Sequence, residues 1–335
     1  MKFIENRHAQ KKKFLSCLKG MKKKRIIAIL VLALLASPFV EGISAQKVKV
    51  KTTKKGIILN GIKFHKQKKR EWCGPAVLRT VLYMNGINEK QKQIAEATFN
   101  KKEKVVKLSE MVFYPREKGL KSYSFKGDLD VLKDFVSRGI PVVVFQKVSK
   151  EVDKGHFRLV IGYEEDLIVF QDPLLGKALR AKEKDFLELW NFKGEERWTE
   201  VVVKNDSLVK EEYKESEVFY RDMARALFRR GNFEESLRYW KKALRKAERS
   251  MYLYSLAFTL LKAGSFGEAE KYAQQAFEKE PANPFCLDVL AEIEYEKGNH
   301  EKALDFIHEA RKLSEREYFK KKYEAWIMKI REKQK

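Results

Sequence analysis

Residues 67–82 read QKKREWCGPAVLRTVL. From Pro75 onward the apolar residues Val77, Leu78, Val81 and Leu82 fall on one stripe at helical spacing, so residues 75–85 are expected to form a helix. Pro75 belongs in its first turn, where a missing N–H is harmless. Cys73 opens that helix, and Gly74 and Pro75 let the backbone turn sharply into it. The free N–H groups and partial positive charge of a helix N-terminus favour a thiolate. A lone cysteine is otherwise a small buried hydrophobe. A reactive reading therefore needs partners elsewhere in the chain.

Such partners lie downstream. Leu129–Ser137 reads as a second helix, and Pro141–Gln146, Phe157–Tyr163 and Leu167–Gln171 read as strands rich in Val, Ile and Phe. Helix first and strands later suggest an α+β domain. His156 stands at the start of one strand, and the small Gly155 before it leaves one side of the ring open. Asp172 follows in Gln-Asp-Pro, sixteen residues on. Strand, turn and strand join the two, so the ends of a hairpin bring them together. A carboxylate beside an imidazole fixes its tautomer and stabilises imidazolium. His156 can then take the Cys73 proton and hold a thiolate–imidazolium pair. Gln67, six residues before Cys73, supplies an amide donor for an oxyanion.

The elements Gln67-x5-Cys73-Gly74-Pro75, Gly155-His156 and Asp172-Pro173 together resemble the C39 family of cysteine peptidases, within the papain-like superfamily. The resemblance covers about residues 57–205. It implies Cys73 as nucleophile, His156 as general base and acid, Asp172 as orienter and Gln67 as oxyanion donor, with the Cys73 N–H as second donor. It further implies peptide-bond hydrolysis through an acyl-enzyme, a peptide or protein substrate and no cofactor. A catalytically inactive C39-like binding or scaffold protein is one alternative; a thiol acyltransferase or amidase on the same fold is another. The best-known C39 domains are fused to ABC exporters and cut leader peptides after a Gly-Gly pair. This sequence has no Gly-x4-Gly-Lys-Ser/Thr phosphate loop, so the fold and mechanism carry over further than the substrate. No Cys-x2-Cys, His-x3-His or His-Glu-x2-His spacing points to a metal. His65 is read as a surface residue, His300 and His308 as structural, and Cys286 as packing.

From about residue 217 the composition changes to helix formers and one pattern recurs, in RALFRRGNFEESLRYWKKAL, FTLLKAGSFGEAEKYAQQAF and AEIEYEKGNHEKALDFIHEA. Gly231, Gly264 and Gly298 are 33 and 34 residues apart. Each belongs in a tight interhelical turn that needs a positive φ. Ala224, Ala257 and Ala291 precede them, and Ser236, Ala269, Ala303, Ala243, Ala276 and Ala310 follow, where paired helices approach closely. Tyr239, Tyr272 and Phe306 are expected to fill the gap between the helices. The period resembles the tetratricopeptide repeat, which implies a groove for a partner protein.

Charge is uneven. Residues 1–70 hold 20 Lys and Arg against two acids, Glu5 and Glu41, so they carry 18 of the 24 net positive charges. The remaining body is only weakly basic, which argues against a nucleic-acid partner. From Met21, a second candidate start, the chain reads as a basic cluster, an apolar run over 26–40 and the small-residue exit EGISAQ. A spanning helix wants ~20 apolar residues, so this is a secretory leader ending near Ala45, with an uncleaved anchor as its second reading. Both place the body in an exported, periplasmic or cell-envelope setting. The Lys-rich 47–70 stretch reads as a solvated arm suited to peripheral contact with an anionic membrane. The expected chain is thus a 1–45 leader, a 46–56 basic linker, a 57–205 α+β papain-like cysteine peptidase domain, a 206–216 linker, and a 217–332 all-α tetratricopeptide-repeat solenoid of three repeats plus a capping helix.

Overall fold

Stretches of alternating Val, Ile and Phe pair into one curled antiparallel sheet, and the amphipathic segments between them cover it. The structure is a computed structural model describing residues 48–192, 195, 197–315 and 317–333. The leader, with Met21 and Ala45, and His8 lie outside these residues.

Two strands, β1 (Lys49–Thr52) and β2 (Gly56–Asn60), precede α1 (Cys73–Met84) and α2 (Gln91–Thr98). The short β3 (Phe99–Asn100) and β4 (Val105–Val106) pair with each other ahead of α3 (Leu108–Glu117). Then follow β5 (Lys121–Lys126), α4 (Leu129–Ser137), β6 (Val142–Lys147), β7 (Gly155–Glu164), β8 (Leu167–Asp172), β9 (Gly176–Lys182), α5 (Glu183–Trp190) and β10 (Trp198–Val203). The main sheet runs β1-β2-β7-β6-β10-β5, and β8 and β9 extend it from β7. β7 is the hub: β6 pairs along Gly155–Val160, β2 along Gly162–Glu164 and β8 along Leu159–Glu164. A bulge between Val160 and Gly162 helps the sheet curl. Helix α1 lies against β7 and buries Val77, Leu78, Val81 and Leu82, the expected stripe.

Three readings of the sequence change here. The segment taken as a basic linker holds β1, an exposed edge strand paired to β2; its lysines keep such an edge soluble. The 206–216 segment is not a free linker. A 3-10 turn (Asp206–Leu208) and a single turn, α6 (Glu211–Lys214), pack back on the sheet. Tyr213 lies 4.4 Å from the Phe125 ring, Val209 is buried, and Tyr123 Oη donates to Asp206 at 2.6 Å. Gly74 does not serve the entry to α1 through an unusual φ. It makes room, since a Cβ there would come within 3.1 Å of Val106 and 3.2 Å of Met111.

The remaining helices are α7 (Glu217–Arg229), α8 (Phe233–Lys246), α9 (Ser250–Lys262), α10 (Phe266–Lys279), α11 (Pro284–Glu296), α12 (His300–Leu313) and α13 (Glu317–Lys333). They stack as three hairpins and a capping helix. Gly231, Gly264 and Gly298 take φ of +73°, +83° and +84° in the three turns. All nine small residues at the helix crossings are fully buried. Ser236 adds a bond across its hairpin, from Oγ to the Ala224 carbonyl at 2.8 Å. The aromatic register differs by one residue from expectation. Tyr239, Tyr272 and Phe306 are only half-buried, and the next residues, Trp240, Ala273 and Ile307, fill the interhelical space. One residue is 100° of helix rotation, so a filler chosen by aromatic character alone lands on the flank.

The sheet half and the repeats share one hydrophobic core, running from Leu59 to Ile293. At their junction Asp222 of α7 is buried and accepts from Ser124 Oγ (2.9 Å), Trp198 Nε1 (2.8 Å) and Arg221 Nε (3.0 Å). Beside it burial pushes the Glu200 carboxyl well above its ordinary range, so Glu200 is held neutral against Ser122. Glu110 of α3 receives Arg229 (2.6 Å) and Arg230 (2.9 Å) from the end of α7. The described residues accordingly form one compact body.

Candidate active site

Cys73 is the first residue of α1 and half-buried. His156 is the second residue of β7, and Asp172 the last of β8. The antiparallel β7–β8 hairpin brings the latter two together: His156 Nε2 donates to Asp172 Oδ1 at 2.9 Å. That leaves Nδ1 for the Cys73 thiol, with which the ring hydrogen-bonds. The three side chains form one line, sulfur to imidazole to carboxylate. His156 is 4% exposed and Asp172 1%.

The electrostatics of the line are cooperative. Burial pushes the Cys73 thiol up. The hydrogen bond and charge of His156, with the backbone N–H groups of Phe157 and Gly74, outweigh it and leave the thiol below its ordinary value. Burial likewise pushes His156 down, but Asp172 and the Cys73 thiolate raise it to about 9. Burial pushes Asp172 up; His156, Arg158 and the Leu174 N–H hold it well below the carboxylate range. Each group's charged form is stabilised by its neighbour, which favours a thiolate and an imidazolium beside an ionised carboxylate.

The loop before α1 closes one wall. Gln67 N–H donates to the Pro173 carbonyl at 2.9 Å, tying this loop to the residue after Asp172. Buried Gln91 braces the same loop, accepting from Lys68 N–H at 2.7 Å and donating to the Lys66 carbonyl at 3.2 Å. The Gln67 side-chain amide donates to the carbonyls of Lys69 (3.1 Å) and Arg70 (2.6 Å), while its Oε1 is buried without a hydrogen-bond partner. Both amide hydrogens are therefore engaged within the loop. Lys69 lies over the Trp72 ring at 4.9 Å. The β8–β9 turn tied to this loop leaves Leu174 and Leu175 exposed, Leu175 at 68%.

His65 does not lie on the surface, as its position in a Lys-rich stretch suggested. It is buried against α1, with Nδ1 3.1 Å from Thr80 Oγ1 and its ring edge-on to Tyr83. Burial, with the charges of Arg79 and Lys63, lowers it to about 4, so it is neutral. Cys286 is buried beside Ser250 in the repeats, and burial raises its thiol. Among the described residues no group of three or more His, Cys, Asp and Glu comes together to hold a metal ion.

The space beside Gly155 is not open. A Cβ there would lie 2.0 Å from the Phe145 ring, so the missing side chain admits Phe145 beside the strand end that carries His156. Sequence reasoning passed over one neighbour of the site. Arg158, two residues beyond His156 and buried, donates from Nε to Asp172 Oδ2 at 2.8 Å. Its signal was available: a charged residue within the otherwise apolar FRLVI stretch, on the same strand face as His156.

Residues 59–198 match the Peptidase_C39 like family, and residues 219–251 match a tetratricopeptide repeat. The peptidase domain of Streptococcus ComA, a bi-functional ABC transporter involved in a quorum sensing pathway, is 22% identical, covering 43% of this chain and 99% of that one at a TM-score of 0.37. A C39-like peptidase from Bacillus anthracis is 16% identical, covering 45% and 99% at 0.37. The Sgt2 repeat domain from Aspergillus fumigatus is 16% identical, covering 35% and 81% at 0.31. No curated protein matches. The α+β half is thus similar to C39-like peptidases, and the helical half to tetratricopeptide repeats.

Proposed function

We propose that the protein is an exported cysteine peptidase that cuts peptide bonds through a Cys73–His156–Asp172 triad. The observation that carries this reading is the bridging His156, which meets the Cys73 thiol on one ring nitrogen and Asp172 on the other. The Cys73 thiolate attacks the scissile carbonyl. The carbonyl electron pair moves to oxygen, and the oxyanion is held by the Cys73 N–H at the start of α1. Gln67 joins as a second donor once its amide turns off the Lys69 and Arg70 carbonyls. Collapse of the adduct expels the amine, which takes its proton from His156, and leaves a thioester. His156 then takes a proton from water, whose oxygen displaces the thiolate and releases the acid. Asp172 stays ionised throughout and keeps Nδ1 facing sulfur.

The repeat array supports a second part of this reading: it binds the substrate or a partner protein next to the site. Export rests on the basic and apolar pattern of residues 21–45. The test is cleavage of a peptide library by the full chain, beside Cys73→Ala. Cleavage by the wild type, and none by a Cys73→Ala chain that melts within about 2 °C of it, is expected. An intact library, together with a Cys73 alkylation midpoint near that of a free thiol, ~8.5, would leave a binding protein on the same fold.

A further inference from the structure

Asp172 is held more tightly than an orienting carboxylate needs. Its Oδ1 accepts three donors, His156 Nε2 (2.9 Å) and the N–H groups of Leu174 (2.8 Å) and Leu175 (3.1 Å). Its Oδ2 accepts one, Arg158 Nε. The arginine is itself clamped. Nη1 donates to Gln146 Oε1 (3.1 Å) and the Lys147 carbonyl (2.9 Å), and Nη2 to the Val148 carbonyl (2.8 Å). Gln146 passes the restraint on, donating to the Phe186 carbonyl of α5 at 2.9 Å. Continuing the pairing of Leu159 with Gln171 by one step sets Arg158 across from Asp172, and Gln146 pairs with His156 on the other side of β7. Gln146, His156, Arg158 and Asp172 are all buried.

We propose that Arg158 is a positioning residue: it pins Asp172 Oδ2 so that Oδ1 stays on His156 Nε2 and the imidazole keeps facing Cys73. This inference rests on the peptidase reading of the site. Two effects of opposite sign follow from a guanidinium here. Its positive charge opposes the imidazolium, so deleting the charge alone would make His156 more basic and lower the Cys73 midpoint. Its hydrogen bond fixes the carboxylate, so deleting the bond leaves a buried oxygen without a donor. The carboxylate then turns or takes up a proton, and the imidazolium loses its anion. The second effect dominates because the guanidinium charge already faces Gln146 and two carbonyls, while Oδ2 has no other donor among the described residues.

The experiment follows the pH midpoint of iodoacetamide alkylation at Cys73 in the full chain, mapped by mass to separate it from Cys17 and Cys286. It compares the wild type with Arg158→Gln, Arg158→Lys, Asp172→Asn and the Arg158→Gln/Asp172→Asn double variant. Arg158→Gln is expected to raise the midpoint by about one pH unit, a roughly ten-fold slower reaction on the acid limb. Arg158→Lys, which keeps the charge and one donor, recovers part of that shift. In the Asp172→Asn background Arg158→Gln adds no further shift, because its effect passes through Asp172. A merely structural arginine would lower the melting temperature and leave the midpoint in place. The role is overturned if Arg158→Gln leaves the midpoint unchanged or lowers it, or shifts it equally with and without Asp172. Should Arg158→Gln fail to fold, an Arg158→Lys midpoint equal to the wild type overturns it. A wild-type midpoint near ~8.5 overturns the peptidase reading and this inference with it; a depressed wild-type midpoint that the Arg158 variants leave alone overturns only the inference.

Discussion

Cys73, His156 and Asp172 each have a charged form that burial disfavours and a neighbour restores. The pH window of the site follows from that balance. On the acid side, Cys73 binds its proton below a midpoint that lies under the ordinary thiol value. On the alkaline side, His156 loses its proton near 9. Peptide cleavage needs both a thiolate and an imidazolium to protonate the leaving amine, so its rate should be bell-shaped with the upper limb near pH 9. Alkylation needs only the thiolate and should show no upper limb. Rate profiles of the two reactions on one preparation check this. Coincident upper limbs would deny His156 its role as acid. At this scale the sequence was most legible, because Cys73, Gly155-His156 and Asp172-Pro173 are recognisable from residue type and spacing. Arg158 was legible only as a charge in an apolar strand, since an arginine there declares its partner only when the neighbouring strand is in place.

At the scale of elements, the β6–β7–β8 meander sets the site. His156 is aligned because β7 begins at Gly155 and Phe145 packs into the space left there. Gly155→Ala would force its Cβ into that ring. Overpacking of this kind costs about 1–3 kcal/mol, and the strain falls on the strand end carrying His156. The expected outcome is a lower urea midpoint and a slower Cys73 alkylation on the acid limb, with Phe145→Leu in the same chain returning part of both. An alanine variant as stable and reactive as the wild type would remove this account of Gly155. The helices α1 and α4 and the strands β6, β7 and β8 were readable from apolar periodicity. β1, β5, β9 and β10 were not, because lysine or serine interrupts the first three and Thr199 and Glu200 the last, and backbone pairing supplies what side-chain character does not.

At the scale of the whole molecule, the peptidase-like half and the repeats unfold as one if their shared core and polar junction matter as their burial suggests. Asp222 concentrates that junction. Asp222→Ala would leave the donors of Ser124, Trp198 and Arg221 in buried space without their acceptor. Breaking a buried charge network by removing one member costs about 3–5 kcal/mol. We expect the variant to melt at lower temperature and in two steps, with circular dichroism reporting helix loss first. One transition at the wild-type temperature would show that the two halves are held by other contacts. A rigid junction also has a functional consequence: whatever the repeats hold is presented to Cys73 at a constant distance rather than on a tether.

Two things were determined by the sequence alone. The 33- and 34-residue spacing of Gly231, Gly264 and Gly298 specifies stacked helical hairpins, because local turn chemistry and helix period are properties of neighbouring residues. The Cys73-Gly74-Pro75, Gly155-His156 and Asp172-Pro173 motifs mark candidate residues for the same reason, since type and local spacing carry each motif. The tertiary structure decided what depends on residues far apart in the chain. It engaged Gln67 with its own loop and buried His65, placed Arg158 on Asp172, and joined α7 to the sheet through Asp222. Each of those outcomes turns on which distant group satisfies a buried donor or acceptor, and only the folded packing makes that choice.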